Sequence, residues 1–326
     1  MTQFDIAIII PCYNGWKYMA KCLDALERQT VAPRQVIVVD DCSTDDSFES
    51  LRCYARASSL PLLVHRNSEN CGPGKSRENG LKLVQAKYVA FCDCDDWFEY
   101  DFVEKISDCA AAYQNIDLVI FDNYICSEAG EKKQGNTTKA ITGRDKARLL
   151  ATYQMSLCRL AVRTDIVRGI FFPPLFHGED GVVAVQIIAG SHTIQVLDLP
   201  LYNYLTRIGS ASTKPSENAF QEFVSAYEII AQKLESQYPE ESEFIGIKYV
   251  CYGAVLNAFK CGIPKKEIDG VLRRFKKSHP HWIKNPYIAT LPRTKRIYIR
   301  AVWYRMLFFV DILTKIHTHI IEAQKG

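Results

Sequence analysis

The sequence predicts an α/β protein in which a mostly parallel sheet is flanked by helices and followed by a helical region. Apolar, β-rich runs alternate with helix-like stretches through the first 125 residues, as strands joined by helical crossovers do. These runs are continuously apolar, which strands covered on both faces require. From residue 215 onward the apolar residues recur at helical spacing, so the last third of the chain is predicted to be helical.

Five strands and four helices are predicted in the first 125 residues, in alternating order. The strands are the runs DIAIII (5–10), QVIVVD (35–40), PLLVH (61–65), YVAFCD (88–93) and DLVIFDNY (117–124). The helices between them fall near 16–28, 44–57, 73–86 and 99–113. Ligands of such sheets bind beyond the carboxyl ends of strands, and polar clusters follow the first, second and fourth strands here.

The rest of the chain is predicted to contain fewer strands. Residues 126–141 are polar and are predicted to be an irregular connection, and a helix and a strand follow within 142–213. Further helices are predicted near 216–236, 242–261 and 264–277. We therefore predict an α/β domain over 1–213, with halves 1–125 and 126–213, and a helical, basic region over 214–326.

Composition indicates an ordinary globular protein. The 326 residues are 48% hydrophobic and 24% charged, with a formal net charge of +3. Residues 263–326 hold 14 Lys and Arg against 4 Asp and Glu, so positive charge concentrates there. The 12 cysteines include no CxxC pair, and we expect reduced thiols packed as small hydrophobes. No signal peptide is recognisable, and no apolar run reaches the ~18 residues of a membrane-spanning helix.

The segment YVAFCDCDDW (88–97) combines two thiols with three carboxylates. Cys92 and Cys94 have no second close pair that would complete a tetrahedral zinc site, and as neighbours on one strand face they fit packing. Asp93 and Asp95 share the opposite face, where hard oxygen ligands suit Mg²⁺ or Mn²⁺ together with substrate phosphates. An acidic turn that caps the next helix is the other reading, and the motif alone fits either.

Two further loops carry groups suited to a nucleotide. VDDCSTDD (39–46) places Asp41 beyond the second strand, where a carboxylate accepts hydrogen bonds from a base or ribose. PCYNG ends the first strand, with Pro11 turning the chain and Tyr13 available to cover a flat ring. Each loop taken singly also has an ordinary structural explanation. The occurrence of both loops at successive strand ends is the observation that indicates a ligand site.

CGPGKSRENG (71–80) contains GKS without being a P-loop. The first glycine of that motif would fall at position 69, which is Glu69. No GxGxxG opens the first crossover, so a Rossmann dinucleotide site is not supported either. Arg77 or Lys75 is instead a candidate phosphate contact.

Two later motifs add a candidate base and candidate anion-binding groups. FHGEDG places Glu179 and Asp180 at the start of a helix. Their charges either complement the helix dipole or supply a general base. TRIGSAST offers Arg207 and small hydroxyl residues, a set suited to gripping a pyrophosphate.

In order and spacing, four of these segments resemble the family 2 glycosyltransferases with the GT-A fold. They are IAIIIPCYNGWKYMAKCLDALERQT (6–30), VIVVDDCSTDDS (36–47), NCGPGKSRENGL (70–81) and YVAFCDCDDW (88–97). The resemblance is strong over residues 5–125 and continues more loosely through GED and YNYLTRIGSAS to about residue 213.

The resemblance implies an inverting transfer of one sugar from a nucleoside diphosphate sugar, with UDP as the expected nucleotide and Mn²⁺ or Mg²⁺ as cofactor. It assigns the metal motif to Asp93 and Asp95, with Asp95 nearest the ion and Asp93 toward the ribose. It assigns the catalytic base to Asp180, next to Glu179. It assigns Pro11, Tyr13 and Asp41 to the uracil site and Arg77 to the arginine of the glycine-rich segment. It assigns Arg207 and Ser210 to the loop that closes over the pyrophosphate.

The chain departs from the family pattern at two loops. SRE replaces the frequent ARN at 76–78, which adds a carboxylate near the donor, and Asp41-Cys42-Ser43 lacks the usual glycine. A Gln-x-x-Arg-Trp motif, typical of processive members, is absent from the sequence, which favours addition of a single residue.

The C-terminal region suggests an acceptor. Residues 293–315 are predicted as one helix, with Arg293, Arg296, Arg300, Asp311 and Lys315 along one stripe and apolar residues around the rest. Such a helix lies in a membrane interface or packs on protein. The first alternative predicts a peripheral enzyme at the cytoplasmic face of the inner membrane, contacting it through residues 291–326.

The expected acceptor is a glycan or a lipid-linked glycan of cell-envelope polysaccharide synthesis, such as lipopolysaccharide, O-antigen or capsule. Two other functions fit the same motifs, namely a sugar-1-phosphate nucleotidyltransferase and a catalytically inactive glycosyltransferase-like scaffold. No nucleic-acid partner is expected, because the basic region matches no recognised module. The sequence predicts no oligomeric state.

Overall fold

The computed structural model describes residues 3–113, 115–135, 145–153, 156–207 and 216–323. The chain forms two compact units. The first consists of Met1–Leu149, Gln154–Pro174 and Glu179–Thr206, and the second of Leu150–Tyr153, Leu175–Gly178 and Arg207–Gly326. The second unit thus includes three stretches of the predicted domain 1–213, namely 150–153, 175–178 and 207–213, and the functional domain boundary at 213/214 stays a prediction.

The first unit begins with four parallel strands joined by helices. The strands are β1 (Gln3–Cys12), β2 (Ala32–Asp40), β3 (Leu62–Arg66) and β4 (Tyr88–Phe91), in the spatial order β3-β2-β1-β4. The helices are α1 (Trp16–Glu27), α2 (Ser47–Ala57), α3 (Gly72–Lys82) and, after β4, α4 (Phe102–Ala112). Residues 6–10 and 36–39 are fully buried, because helices cover both sheet faces and the apolar runs have no solvent-facing side.

The sheet continues beyond β4 with five more described strands. They are β5 (Trp97–Phe98), β6 (Leu118–Ser127), β7 (Lys132–Gln134), β8 (Leu160–Arg163) and β9 (Ile194–Thr206). β8 is antiparallel to β4 and β6, whereas β9 is parallel to β6, so the sheet is mixed. Three helices, α5 (Lys146–Thr152), α6 (Thr164–Arg168) and α7 (Glu179–Gly190), and the turn Leu157–Arg159 complete this part of the chain. The predicted α/β fold class is confirmed.

The polar segment 126–141 is less irregular than predicted. β6 extends to Ser127 and pairs with β7 as an antiparallel hairpin, Tyr124 lying opposite Gln134. All three residues of β7, the run KKQ, are exposed, so the sequence shows no alternation of apolar and polar residues there. Only the backbone pairing with β6 makes them a strand. Residues 136–144 lie outside the described residues.

The second unit is helical where it is described. Its helices are α8 (Glu217–Leu234), α9 (Pro239–Gly246), α10 (Val255–Lys260), α11 (Lys265–Ser278), α12 (Arg293–Trp303) and α13 (Leu307–Ala323). A π-helical stretch, Ile247–Ala254, joins α9 to α10, and 3₁₀ turns cover Trp282–Lys284 and Pro286–Thr290. The unit has its own core of aliphatic and aromatic side chains, which includes Ile247, Cys251 and Ile299.

The prediction of one helix over 293–315 is wrong. The chain turns at residues 304–306 between α12 and α13, and Arg305 adopts a φ of 57°, which no helix continues through. The two halves of the predicted charged stripe therefore lie on different helices. No helix in the described part of the chain is both long and apolar enough to cross a membrane.

Candidate active site

The carboxyl ends of the central strands meet at one edge of the sheet. In the β1–β2 register Cys12 lies opposite Asp40, and in the β1–β4 register Ile9 lies opposite Phe91. The loops after these three strands therefore start side by side, as the sequence predicted. They carry Tyr13, Asp41 and the aspartates of the CDCDD segment. Pro11 was predicted to turn the chain, but it lies within β1 opposite Val39, and the strand ends one residue later at Cys12.

The loop after β1 is fastened to the loop after β2. The backbone N–H of Asn14 donates to Ser43 Oγ (3.0 Å), and Asn14 Oδ1 accepts from the backbone N–H of Thr44 (2.9 Å). Pro11 is buried, whereas the Tyr13 side chain is 46% exposed and offers an open ring face. This arrangement agrees with a ring-covering role for Tyr13 and does not test it.

Asp41 is only 3% exposed, and protein groups occupy both of its carboxylate oxygens. Oδ1 accepts from Asn67 Nδ2 (2.7 Å) and from the backbone N–H of Cys71 (3.1 Å), and Oδ2 accepts from the backbone N–H of Gly72 (2.7 Å). The carboxylate thereby satisfies N–H groups at the start of α3, where the helix dipole also favours negative charge. Asp41 thus fixes the glycine-rich segment in place, whether or not it also contacts a base.

Arg77 on α3 connects the early and late acidic motifs. Its side chain is buried, with Nη2 at 2.7 Å from Asp93 Oδ1 and Nη1 at 2.7 Å from Asp180 Oδ1. Nη1 also lies 3.5 Å from Glu179 Oε1. Burial works against the charged form, yet the carboxylates of Asp180 and Asp93 hold the pKa of Arg77 well above its usual value. The sequence predicted an arginine at the donor site, but not one that bridges these carboxylates.

A glycine allows the acidic pair to approach α3. A Cβ added to Gly74 would lie 3.2 Å from Glu179 Cγ, which is tighter than an ordinary contact. α3 can therefore pack directly against the first turn of α7. The GPG part of the glycine-rich segment serves close packing here rather than a phosphate cradle.

The two acids at the start of α7 differ in exposure and share an upward pKa shift. The Glu179 side chain is 9% exposed, and burial, reinforced by the charge of Asp180, raises its pKa to about 8. The Asp180 side chain is 27% exposed. Burial also raises its pKa, and the Arg77 guanidinium opposes that shift. Asp180 is thus the more accessible member of the pair, with a proton affinity above that of a surface aspartate.

Asp93 and Asp95 fit a divalent ion only as partial ligands. The Asp93 side chain is 36% exposed, and Asp95 is half-buried two residues along the chain. Their oxygens are of the type that Mg²⁺ and Mn²⁺ prefer. Among the described residues, no group of three or more His, Cys, Asp or Glu side chains is arranged to hold a metal. The donor set therefore suits an ion that takes its other ligands from a diphosphate and water.

The cysteines of the CDCDD segment pack against other thiols. Cys92 is fully buried with its Sγ 3.7 Å from Cys22 Sγ, and Cys94 contacts Cys12. Burial and the Cys22 thiol raise the pKa of Cys92, so its sulfur stays protonated. Cys12, Cys22 and Cys92 belong to the hydrophobic core of the first unit, which agrees with the predicted packing role.

Asp96 has a structural role that the sequence did not reveal. It is buried, Oδ1 accepts from the backbone N–H of Leu205 (2.7 Å), and Oδ2 accepts from the Tyr202 hydroxyl. Tyr202 Oη in turn accepts from the backbone N–H of Asp93 (3.3 Å). β9 thereby fixes the loop that carries the candidate metal motif. The only sequence signal was that Asp96 is the third acid within CDCDD, and nothing in the sequence pointed to Tyr202.

The roles predicted for Arg207 and Ser210 at a pyrophosphate are not tested by the structure. Arg207 is half-buried and belongs to the second unit, and Ser210 lies outside the described residues. Both roles stay predictions. The cluster that the geometry does assemble consists of Arg77, Asp93, Glu179 and Asp180, with Asp95 and the Asp41 loop beside it.

The curled sheet with its acidic strand ends is that of a GT-A glycosyltransferase. Residues 7–165 match the family model described as Glycosyl transferase family 2. This part of the chain is therefore a family 2 glycosyltransferase domain, as the resemblance predicted.

Known proteins extend the similarity to nearly the whole chain. The chain is 25% identical to EpsH of Bacillus subtilis (strain 168), a protein named as a glycosyltransferase, over 97% of this chain and 96% of EpsH. It is 28% identical to the poly(ribitol-phosphate) beta-N-acetylglucosaminyltransferase TarS of Staphylococcus aureus (strain Mu50 / ATCC 700699), over 74% of this chain. That match covers 44% of TarS, so the chain corresponds to less than half of that relative.

Two solved structures show the same fold. The crystal structure of S. aureus TarS 1–349 in complex with UDP-GlcNAc matches with a TM-score of 0.70 at 21% identity, over 98% of this chain and 92% of that one. The structure of GalNAc-T7 with UDP, GalNAc and Mn²⁺ matches with a TM-score of 0.54 at 13% identity, over 85% of this chain and 55% of that one.

Proposed function

We propose that the protein is an inverting glycosyltransferase that moves one sugar from a UDP-sugar to a hydroxyl of a glycan or lipid-linked acceptor. One observation carries the proposal: Arg77 contacts Asp93 and Asp180 at 2.7 Å each, so the candidate metal motif and the candidate base lie within the span of one guanidinium. The crystal structure of TarS with UDP-GlcNAc supports a UDP donor, and the poly(ribitol-phosphate) in the name of TarS supports a polymeric acceptor.

In the proposed reaction the acceptor oxygen attacks the anomeric carbon while the bond from that carbon to the diphosphate oxygen breaks. Asp180 takes the hydroxyl proton, a step worth ~10²–10⁴-fold in rate. Its partial exposure lets an acceptor reach it, and its raised pKa improves its affinity for that proton.

The other residues of the cluster hold the reacting groups. Asp95 and Asp93 would bind Mn²⁺ or Mg²⁺, which would neutralise charge on the leaving diphosphate. Arg77 orients Asp93 and Asp180 relative to each other, because its two terminal nitrogens each hold one carboxylate. Pro11, Tyr13 and Asp41 would receive the uracil, and Arg207 and Ser210 would close over the pyrophosphate.

Thermal unfolding with nucleotides tests the donor site. The protein is heated with UDP, with GDP or with neither, each in Mn²⁺ and in EDTA. A ligand at about 100 times its dissociation constant adds ~2.7 kcal/mol to the free energy of unfolding. We expect stabilisation by UDP that requires Mn²⁺ and is lost in Asp95→Ala.

The matched control for that variant is Asp108→Ala, which removes an exposed aspartate from α4. It should respond to UDP as the natural sequence does. An absence of any nucleotide effect in folded protein would favour the inactive scaffold. Release of pyrophosphate from a nucleoside triphosphate and a sugar-1-phosphate would favour the nucleotidyltransferase.

A further inference from the structure

Six large apolar side chains of the second unit stand exposed between residues 304 and 316. They are Tyr304 (71% exposed), Met306 (52%), Phe308 (72%), Phe309 (38%), Ile312 (38%) and Ile316 (51%). Phe308, Ile312 and Ile316 recur at four-residue spacing and so share one side of α13. Val310 and Thr314 are buried on the other side of the helix. We call these six residues the outer face.

The fold of the second unit holds the outer face away from the core. Arg305 has a φ of 57° and forms an ion pair with Asp269 of α11, and the backbone N–H of Met306 donates to Ala301 O (2.9 Å). These contacts fix the turn from which Tyr304 and Met306 extend. Contiguous exposed apolar surface of this kind marks an interaction site on a protein.

Basic side chains border the outer face. Lys265 Nζ lies 5.4 Å from the centre of the Phe308 ring. Arg305 and Lys315 form ion pairs with Asp269 and Asp311, and their side chains are still 39% and 75% exposed. The stretch of sequence that contains the outer face, residues 263–326, holds 14 Lys and Arg against 4 Asp and Glu. A helix with an apolar row and flanking cations suits the boundary between acyl chains and anionic headgroups.

We propose that the outer face docks on an anionic lipid surface. Phe308, Ile312 and Ile316 enter the boundary between headgroups and acyl chains, and Lys265 and Lys315 contact anionic headgroups. A second copy of the chain is the less suitable occupant, because a two-fold interface brings the same cations of both copies together. Of the stripe predicted from the sequence, only Lys315 is among the docking residues, since Arg293, Arg296 and Arg300 lie on α12.

Vesicle flotation with the full chain tests the proposal without any sugar donor, so its outcome is independent of the donor chemistry. We expect the protein to float with vesicles of phosphatidylcholine and phosphatidylglycerol but not with phosphatidylcholine alone. Added salt should weaken the binding because it screens the headgroup contacts. The double variant Phe308→Ser/Ile316→Ser should lose at least about tenfold in the vesicle partition coefficient, since two apolar side chains no longer leave water.

The matched control is Phe171→Ser, which removes a phenylalanine that is 50% exposed on the first unit. It should float as the natural sequence does, and all variants should keep the same unfolding temperature. No flotation with either vesicle, or flotation that the double variant retains, overturns the proposal. A dimer in light scattering that the double variant converts to a monomer, without lipid binding, also overturns it and assigns the outer face to a second copy.

Discussion

At the scale of single residues, the first unit contains a guanidinium that three carboxylates contact. Removing the charge in Arg77→Met leaves Asp93, Glu179 and Asp180 without their cation in a mostly buried place. We expect a loss of ~3–5 kcal/mol in the free energy of unfolding, as for other broken buried ion pairs. Urea unfolding of the two proteins measures it.

The control for Arg77 is the exposed pair of Arg34 and Asp5. Their N–O distance is 2.9 Å, but the Arg34 side chain is 46% exposed, so Arg34→Met should cost under ~1 kcal/mol. The double variant Arg77→Met/Asp180→Asn should lose less than the sum of its single variants, because both remove the same interaction. Additive losses would show that the 2.7 Å contact contributes nothing to stability.

Asp180 is the residue that the proposed mechanism makes indispensable for proton transfer. Asp180→Asn keeps the size of the side chain but removes its proton acceptor. We expect turnover to fall by ~10²–10⁴-fold while UDP still stabilises the protein against heat. Steady-state rates alongside thermal unfolding with UDP provide the check, with Asp108→Asn as the control. Turnover equal to that of the natural sequence would exclude Asp180 as the base.

Glu179 makes stability depend on pH. Its pKa is raised by burial to about 8 in the folded protein, against 4.5 for an unperturbed glutamate, so the folded state binds the extra proton between these values. This contribution to stability is complete below pH 4.5 and is lost as pH rises toward 8, with a slope of at most ~1.4 kcal/mol per pH unit. Glu179→Gln should flatten the curve of unfolding free energy between pH 5 and 8. Parallel curves for the two proteins would contradict the shift.

At the scale of elements, a glycine sets the packing of α9 in the second unit. A Cβ added at Gly246 would lie 2.5 Å from Phe275 Cε2 and 2.7 Å from two atoms of the Tyr227 ring. Neither ring is at the end of a flexible chain, so Gly246→Ala should destabilise the protein by ~1–3 kcal/mol.

Gly270 in α11 provides the opposite case. A Cβ there would have no atom within 4 Å, and the position is inside a helix. Gly270→Ala should therefore stabilise the protein by ~0.5–1 kcal/mol, because alanine loses less backbone entropy on folding. Thermal unfolding of both variants distinguishes them, and equal effects of the two substitutions would contradict the packing argument.

The elements that the sequence predicted are those whose own side chains determine them. Runs such as VIVVD are almost entirely apolar and must be buried, so their composition predicts strands that are covered on both faces. β7 was not predicted, because its residues are exposed and only its backbone pairing with β6 makes it a strand. The turn after α12 was not predicted, because the residue with the positive φ is Arg305 rather than a glycine or an asparagine.

The candidate site was predicted only in part, because contacts between distant segments determine the rest of it. The sequence placed Asp41 and Asp93 on the loops where they lie, since each follows a recognisable strand, and it placed Asp180 at the start of its helix. It did not show that Asn67 and the N–H groups of α3 occupy Asp41, or that Arg77 bridges two motifs 16 and 103 residues away. Those contacts depend on how α3 crosses the sheet, which no local spacing encodes.

At the scale of the whole molecule, the proposed reaction has a stereochemical result. A single in-line displacement on an α-linked UDP-sugar leaves a β-linked product, because the acceptor attacks opposite the leaving diphosphate. The coupling constant of the anomeric proton in the NMR spectrum of the product reports the configuration. A product with retained configuration would require a different mechanism from the one assigned to Asp180.

The division of the chain into two interleaved units restricts how the protein can be taken apart. The backbone passes between the units five times, because Leu150–Tyr153 and Leu175–Gly178 belong to the second unit. Lys248 of the second unit donates to Ala151 O (2.7 Å), so one of these short segments is joined to it by a hydrogen bond. A chimaera that exchanges the sequence after residue 206 with that of a relative would combine a foreign helical unit with two native fragments of the old one. Replacing the whole second unit with that of a relative would therefore require exchange of three separate stretches of sequence.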